Sequence, residues 1–187
     1  MEKYNYLEST VRNTLASVVW SHKIQEKQAD IYASRYRFFE TIRIVASGIT
    51  SVGLISLVFK DDGAVKIICA MISLVSFCVS AFFKSFNLNT MVNEHKQAAT
   101  QLLSVRDGLI MLILQIRMKN LDPDALYSQY EQLMAELHKI YCNAPTTTDK
   151  AVNMARTALK VTEDNTFSDQ EIDSYLPKEL RKGADGK

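Results

Sequence analysis

Two uncharged apolar runs lie a few residues apart near the middle of this 187-residue chain. The first covers 44–59, between Arg43 and Lys60, and the second covers 67–83, between Lys66 and Lys84. Each is about 16–17 residues, the short end of what crosses a hydrocarbon core. The bordering cations lengthen that reach, because their apolar stems can lie in hydrocarbon while the charges sit among headgroups. A soluble helix rarely goes that far without a charge on any face. Two membrane spans are therefore expected. The link, 60–66, is so short that the spans must form an antiparallel hairpin. The alternative is a soluble bundle with two buried core helices.

The rest of the chain is polar. A formal net charge of +1 gives no reason to expect duplex nucleic acid as a partner. Cys69 and Cys78 fall in the second run and Cys142 lies far away. An odd, scattered set of this kind argues against a disulfide framework and for a reducing compartment. The first 43 residues are polar and helical in pattern, so the first run starts too late for a cleavable signal peptide. Lys27, Arg35, Arg37, Arg43, Lys84 and Lys96 cluster on the arm side of the spans. The link has Lys60 and Lys66 beside Asp61 and Asp62. The excess of cations places both arms, and so both termini, in the cytoplasm.

The arms repeat at alternating steps of four and three. One carries Val11, Leu15, Val18, His22, Gln25, Ala29, Tyr32 and Tyr36; the other carries Met91, His95, Ala98, Leu102, Val105, Leu109, Leu112 and Ile116. That is a coiled-coil seam. Facing positions in an antiparallel pair have residue numbers with a constant total. Val11 with Ile116, Leu15 with Leu112, Val18 with Leu109, His22 with Val105, Gln25 with Leu102 and Tyr32 with His95 all total 127, as do the border cations Arg43 and Lys84. No proline falls between Glu2 and Leu121, so each arm is expected to run straight into its span. The fold class is an all-α membrane protein: a two-span hairpin continuing into a long antiparallel cytoplasmic stalk, with C-terminal helices packed on it. The expected parts are the first arm at 1–43, spans at 44–59 and 67–83, and the second arm at 84–121. A helical region at 122–181 and a disordered tail at 182–187 complete the chain.

Asp122-Pro123 reads as an N-cap followed by proline at the first helical position. The helix after it repeats Leu126, Tyr130, Leu133, Leu137 and Ile140, and fits a third strand on the stalk. A break at 144–149 precedes a small helix at about 150–161. Ser168 and Glu171 have capping-box spacing for one more short helix, ended by Pro177.

Three segments carry a resemblance. They are Glu94-His95-Lys96-Gln97-Ala98-Ala99, Ile140-Tyr141-Cys142-Asn143-Ala144-Pro145-Thr146, and Thr166-Phe167-Ser168-Asp169-Gln170-Glu171-Ile172-Asp173 leading to Leu176-Pro177. In that order, with the hairpin, the chain resembles the bacterial SLATT family, two-transmembrane domains associated with nucleotide-cyclase defence systems. The resemblance implies an inner-membrane effector of antiphage abortive infection. Such an effector would oligomerise and breach the membrane when a nucleotide second messenger or a sensor protein triggers it.

The residues themselves suggest no enzyme and no cofactor. Gly48 and Gly53 lie in the first run and Gly63 in the link, so no Gly-rich phosphate loop exists. His138 and Cys142 are four apart, which is half a metal site or a surface histidine near a helix end. His22 and His95 fall on the seam, either as bonded core histidines or as a pH- or ligand-sensitive weak point. In the spans, Ser47 and Ser51 share one side of the first, while Cys69, Ser73, Ser76 and Ser80 descend the second. Such hydroxyls can bond their own backbone, pack helices closely or line a pore. With no charge inside either span, a proton relay or coupled transporter is disfavoured. Arg35, Arg37, Lys84, Lys96 and Arg106 are the candidates for holding an anionic ligand or lipid headgroups. Two other readings remain: a membrane scaffold or sensor recruiting a soluble enzyme, and a small ion channel with no defence role.

Overall fold

A computed structural model describes residues 2–59, 63–119, 121–164, 166–177 and 181, with the side chains of 54, 56–59 and 83–86 left out. The expected link residues Lys60 to Asp62 and the tail 182–187 lie outside the described residues. All described regular structure is helical: α1 (Glu2–Phe59), α2 (Gly63–Phe86), α3 (Leu88–Met118), α4 (Pro123–Asn143), α5 (Asp149–Lys160) and α6 (Asp169–Tyr175).

α1 is one helix of 58 residues, about 87 Å long, holding both the first arm and the first apolar run. α3 returns along its N-terminal half. The seam residues become the core: Val11, Val18, Leu102, Val105, Leu109, Leu112 and Ile116 are buried, with Leu15 packed against them. Tyr32 lies on His95 with ring centroids 5.4 Å apart, and Gln25 bonds the same imidazole, so His95 sits between these two α1 residues rather than opposite Tyr32 alone. Outside this core, Arg117 donates to Glu8 at 2.9 Å and Tyr4 Oη donates to the Leu121 carbonyl at 3.1 Å.

α4 opens on the Asp122 cap with Pro123 in its first turn, and buries Leu126, Leu137 and Ile140. Its approach to α3 is close at Gly108, where a Cβ would sit 2.8 Å from Leu133 Cδ2. α5 lies on the other side of the stalk, burying Ala151, Ala155 and Ala158. Small residues three and four apart let it pack closely on α1. α6 begins with a complete capping box, in which Ser168 Oγ accepts from Glu171 N and the Glu171 carboxylate accepts from Ser168 N.

One expectation fails. The second arm does not run straight into its span: α2 stops at Phe86 and α3 starts at Leu88. Asn87 between them has φ 29° and ψ 57°, and its side chain accepts from Thr90 N. Neither proline nor glycine makes the break. Asparagine does, because its short amide tolerates a positive φ and caps the new helix in place of the lost backbone bonds. The expected pairing total of 127 is not kept on either side of the break: in the stalk, Gln25 bonds His95, for a total of 120. Phe39 meets Phe82, for a total of 121, so the register expected at Arg43 and Lys84 is not kept.

By length and mean apolarity, α2 and α3 both pass as possible spans, and burial separates them. Only 6% of the apolar stretch of α2 is buried, against 33% for α3, whose apolar side forms the stalk core. α3 also carries Glu94, Lys96, Arg106 and Asp107. In the hairpin, Ile44, Val45, Ile49, Val52 and Ile55 of α1 and Ile67, Ile68, Met71, Leu74, Val75 and Phe77 of α2 are all at least 50% exposed. Monomeric soluble proteins do not leave a belt of that kind in water. The end of α1 and α2 are thus the apolar segments that the stalk leaves uncovered.

Candidate functional site

The stalk core is apolar except at one level. His95, 2% exposed, sits in the α1–α3 seam, and its Nδ1 donates to Gln25 Oε1 at 2.5 Å. The amide of Gln25 points its Nε2 the other way and donates to the Pro145 carbonyl at 3.1 Å. One turn along α1, Gln28 Oε1 accepts from both the backbone N (2.9 Å) and the Oγ1 (2.8 Å) of Thr148. Thr148 in turn caps α5 through Ala151 N. Ser21 and Tyr141 share a hydrogen bond at 3.1 Å. In all three ties the residues are 120 apart, so the end of α4 and its loop run parallel to α1 in fixed register.

Lys23 completes the clasp. It is 3% exposed, with Nζ 2.8 Å from Glu26 and 3.5 Å from Asp164, just beyond α5. A buried ammonium needs such partners. Burial pushes the His95 pKa below the usual histidine value, against the pull of Glu94. Burial lowers His22 as well, with Glu26 opposing and Lys23 adding to the effect. A neutral His95 with its proton on Nδ1 is the form Gln25 selects.

Beside this node lies a cavity of about 700 Å³ between α3 and the end of α4. Its polar lining is Glu94, Gln97, Gln101, Glu136, Lys139 and Asn143, and its apolar lining is Ala98, Ile140, Ala144 and Pro145. The size suits a small-molecule site. Three carboxamides offer donors and acceptors, and the carboxylates accept from N–H groups. With Glu94 and Glu136 against Lys139, the walls disfavour a polyphosphate. Two of the three segments singled out in the sequence meet here, since Glu94, Gln97 and Ala98 face Ile140 to Pro145. The third does not join them: Phe167 and Tyr175 around α6 are exposed.

Of the five candidate cations, Arg35, Arg37 and Lys96 are exposed. Arg106 is held by Asp107 at 2.8 and 2.9 Å. The side chain of Lys84 lies outside the described residues. None of the other four lines the cavity. His138 Nε2 and Cys142 Sγ are 3.6 Å apart, and no group of three His, Cys, Asp or Glu suited to a metal occurs among the described residues.

In the hairpin, α1 and α2 touch where a Cβ on Gly53 would overlap the sulfur of Cys69. The α2 face toward α1 runs through Val65, Cys69, Ile72, Ser76 and Val79, all at least partly buried. The serine stripe is thereby divided: Ser76 turns toward α1, whereas Ser73 and Ser80 are exposed, as are Ser47 and Ser51 on α1. Ser51 and Ser80 donate to the carbonyls of Ser47 and Ser76, both at 2.9 Å, so these hydroxyls are satisfied within their helices.

The family described as "SMODS and SLOG-associating 2TM effector domain family 4" matches residues 7–171. The chain belongs to this family. It is a two-span membrane protein whose family is one of effector domains rather than of known enzymes. No curated protein and no solved structure matches it. The match runs from the first stalk turns to the start of α6, so stalk, hairpin and clasp belong to one unit.

The sequence pointed to His95 and the seam but not to Gln28, Lys23 or Thr148. Nothing local marks them: a glutamine or lysine on a helix reads as solvent-facing until its partner, 120 or more residues away, is placed.

Proposed function

We propose that this protein is an antiphage abortive-infection effector of the bacterial inner membrane, with both termini cytoplasmic. It assembles with copies of itself and permeabilises the membrane when a nucleotide signal or a partner protein of the same defence system reaches the stalk. The observation that carries this reading is an apolar, uncharged hairpin whose first span is one rigid helix with the stalk. A disturbance of the stalk is thereby delivered to the bilayer without a linker to absorb it. The α3–α4 cavity is the proposed receiver of a partner protein rather than of a phosphate-bearing ligand, because Glu94 and Glu136 outnumber Lys139 in its walls and it abuts the Gln25–His95 node through Pro145. Ser47, Ser51, Ser73 and Ser80 are the proposed pore wall. Without charges, such a wall is closed at rest by dewetting.

The test is induced expression in bacteria together with the neighbouring defence genes, with a membrane-potential dye read after phage challenge. Loss of potential that needs this chain supports the effector. Protection from phage with potential intact would establish the scaffold reading instead.

A further inference from the structure

Three lysines from distant parts of the chain meet where α5 lies on α1. Lys23 and Lys27, one turn apart on α1, both approach Oδ2 of Asp164, at 3.5 and 4.0 Å. Lys23 is buried, so its ammonium lies behind that carboxylate. Lys27 and Asp164 line a cavity of about 800 Å³ between α1 and α5. Lys150, Asn153, Thr157 and Thr162 supply the other polar groups of its walls. The Lys150 ammonium and the Asn153 amide are engaged by no other group among the described residues.

This cavity differs in sign from the one between α3 and α4. Its walls set two lysines against one carboxylate, and that carboxylate is itself paired with lysine. Glu26 and Asp30 pair with Lys23 and Lys27 at 2.8 and 3.8 Å, but both are about half exposed, so water screens their charge. Asp164 thus occupies the place that an anionic ligand would take. The turn that carries it holds Glu163 at φ 53°, a left-handed conformation that costs a non-glycine residue free energy. The side chains that α5 buries are alanines, Ala151, Ala155 and Ala158, so little apolar area holds it down. A carboxylate tethered in this way yields to a ligand of higher charge. A phosphate group carries nearly two negative charges and three strong acceptor oxygens. A second carboxylate would gain nothing over Asp164.

We propose that the α1–α5 cavity binds a soluble phosphate-bearing ligand, which takes the place of Asp164 beside Lys27, with Lys150 and the Asn153 amide as further donors. Lys23 adds charge from behind and keeps Glu26 as its partner once Asp164 has left. Membrane headgroups are out of reach. The unbroken helix from Lys27 to Arg43 is about 24 Å long, against a headgroup layer of roughly 5–8 Å. The volume admits a ligand of nucleotide size. Displacing Asp164 frees the end of α5 and leaves the Thr148 tie and the alanines as its hold on α1. That this release opens the membrane rests on the effector reading above; the binding and the displacement do not.

The experiment titrates the full chain in detergent with inorganic phosphate at about pH 8, where phosphate is dianionic, and at constant ionic strength. One reporter is Trp20, the single tryptophan, which precedes Lys23 by three residues and Lys27 by seven and so shares their side of α1. The other is hydrogen exchange at the end of α5, which phosphate should accelerate. The expected result is saturable binding, tighter by about tenfold or more in Asp164→Asn, which removes the competing charge, and weaker by about tenfold in Lys150→Gln. No saturable change by either reporter, or affinities of parent and Asp164→Asn within about twofold, overturns the proposal. Should Asp164→Asn lose helix by circular dichroism, Lys150→Gln decides, because Lys150 has no tie to break. Unchanged phosphate affinity in that variant overturns the proposal. The titration is repeated in phosphatidylglycerol vesicles. The same response as in detergent supports a soluble ligand, and a site already saturated by the lipid overturns it. Binding lost in Lys150→Gln while loss of membrane potential after phage challenge is unchanged keeps the site and refutes it as the trigger.

Discussion

Replacing Gln25 with leucine removes the one side chain that joins α1, α3 and the α4–α5 loop. Two hydrogen bonds disappear, to His95 Nδ1 at 2.5 Å and to the Pro145 carbonyl at 3.1 Å. Each contributes about 0.5–1.5 kcal/mol net. His95 remains 2% exposed, so its N–H is left buried and unpaired, which costs about 1–3 kcal/mol. These contributions overlap, and the expected loss is about 2–4 kcal/mol. The assay is thermal or urea unfolding of the full chain in detergent, followed by far-ultraviolet circular dichroism, with hydrogen exchange on α5. Exchange should accelerate in α5 first, because the loop leading into it loses its tie to α1 through Pro145. A loss below about 0.5 kcal/mol, or unchanged exchange in α5, would refute the node as a structural tie. The pH dependence adds a second check. His95 has a lowered pKa in the fold, so the unfolded chain takes up its proton first. Stability is therefore fully present above the ordinary value of 6.5 and falls as pH drops below it. Gln25→Glu places a carboxylate on Nδ1, raises that pKa and should flatten or reverse the slope between about pH 5 and 7.

Gly53→Leu should disrupt the hairpin, since a first side-chain atom at Gly53 already overlaps Cys69; overpacking of this kind costs about 1–3 kcal/mol. Gly48→Ala meets nothing within 4 Å and should leave thermal stability within about 0.5 kcal/mol of the parent. Ser76→Leu should weaken the α1–α2 contact and lower the melting temperature, whereas Ser73→Leu should alter dye leakage from liposomes with the melting temperature kept; the reverse pattern would contradict the division of the serine stripe. A reporter active only outside the cytoplasm, fused after Lys187, should stay silent, and activity there would invert the topology.

The seam was legible because it obeys a single period. Leu102, Leu109 and Leu112 announce a buried face whatever surrounds them, but not their partners, since a seven-residue repeat satisfies totals of 120 and 127 alike. Helix starts at Asp122 and Ser168 were legible for a similar reason, since capping is settled within four residues. The break at Asn87 escaped notice because Lys-Ser-Phe-Asn-Leu-Asn-Thr contains no proline or glycine. Its only mark is an asparagine three residues before Thr90, a pattern that also occurs inside unbroken helices. The division of the serine stripe escaped as well: an α2 face cannot be assigned until its register on α1 is known. The cavity was half visible. Both of its segments stood out in the sequence, but only the packing of α4 on α3 shows that they meet.

Val11 and Val18 of α1 are buried in one cluster with Leu109, Leu112 and Ile116 of α3. The two sets are separated in the chain by both apolar segments of the hairpin. During translation the N-terminal third of α1 must therefore wait, apolar face uncovered, until two hydrophobic segments have been made and a third helix has followed them back. The order of synthesis makes membrane integration a precondition for closing the stalk. A chain that failed to integrate would still hold its sticky N-terminal helix beside two free apolar segments, a species for proteases rather than a latent toxin loose in the cytosol.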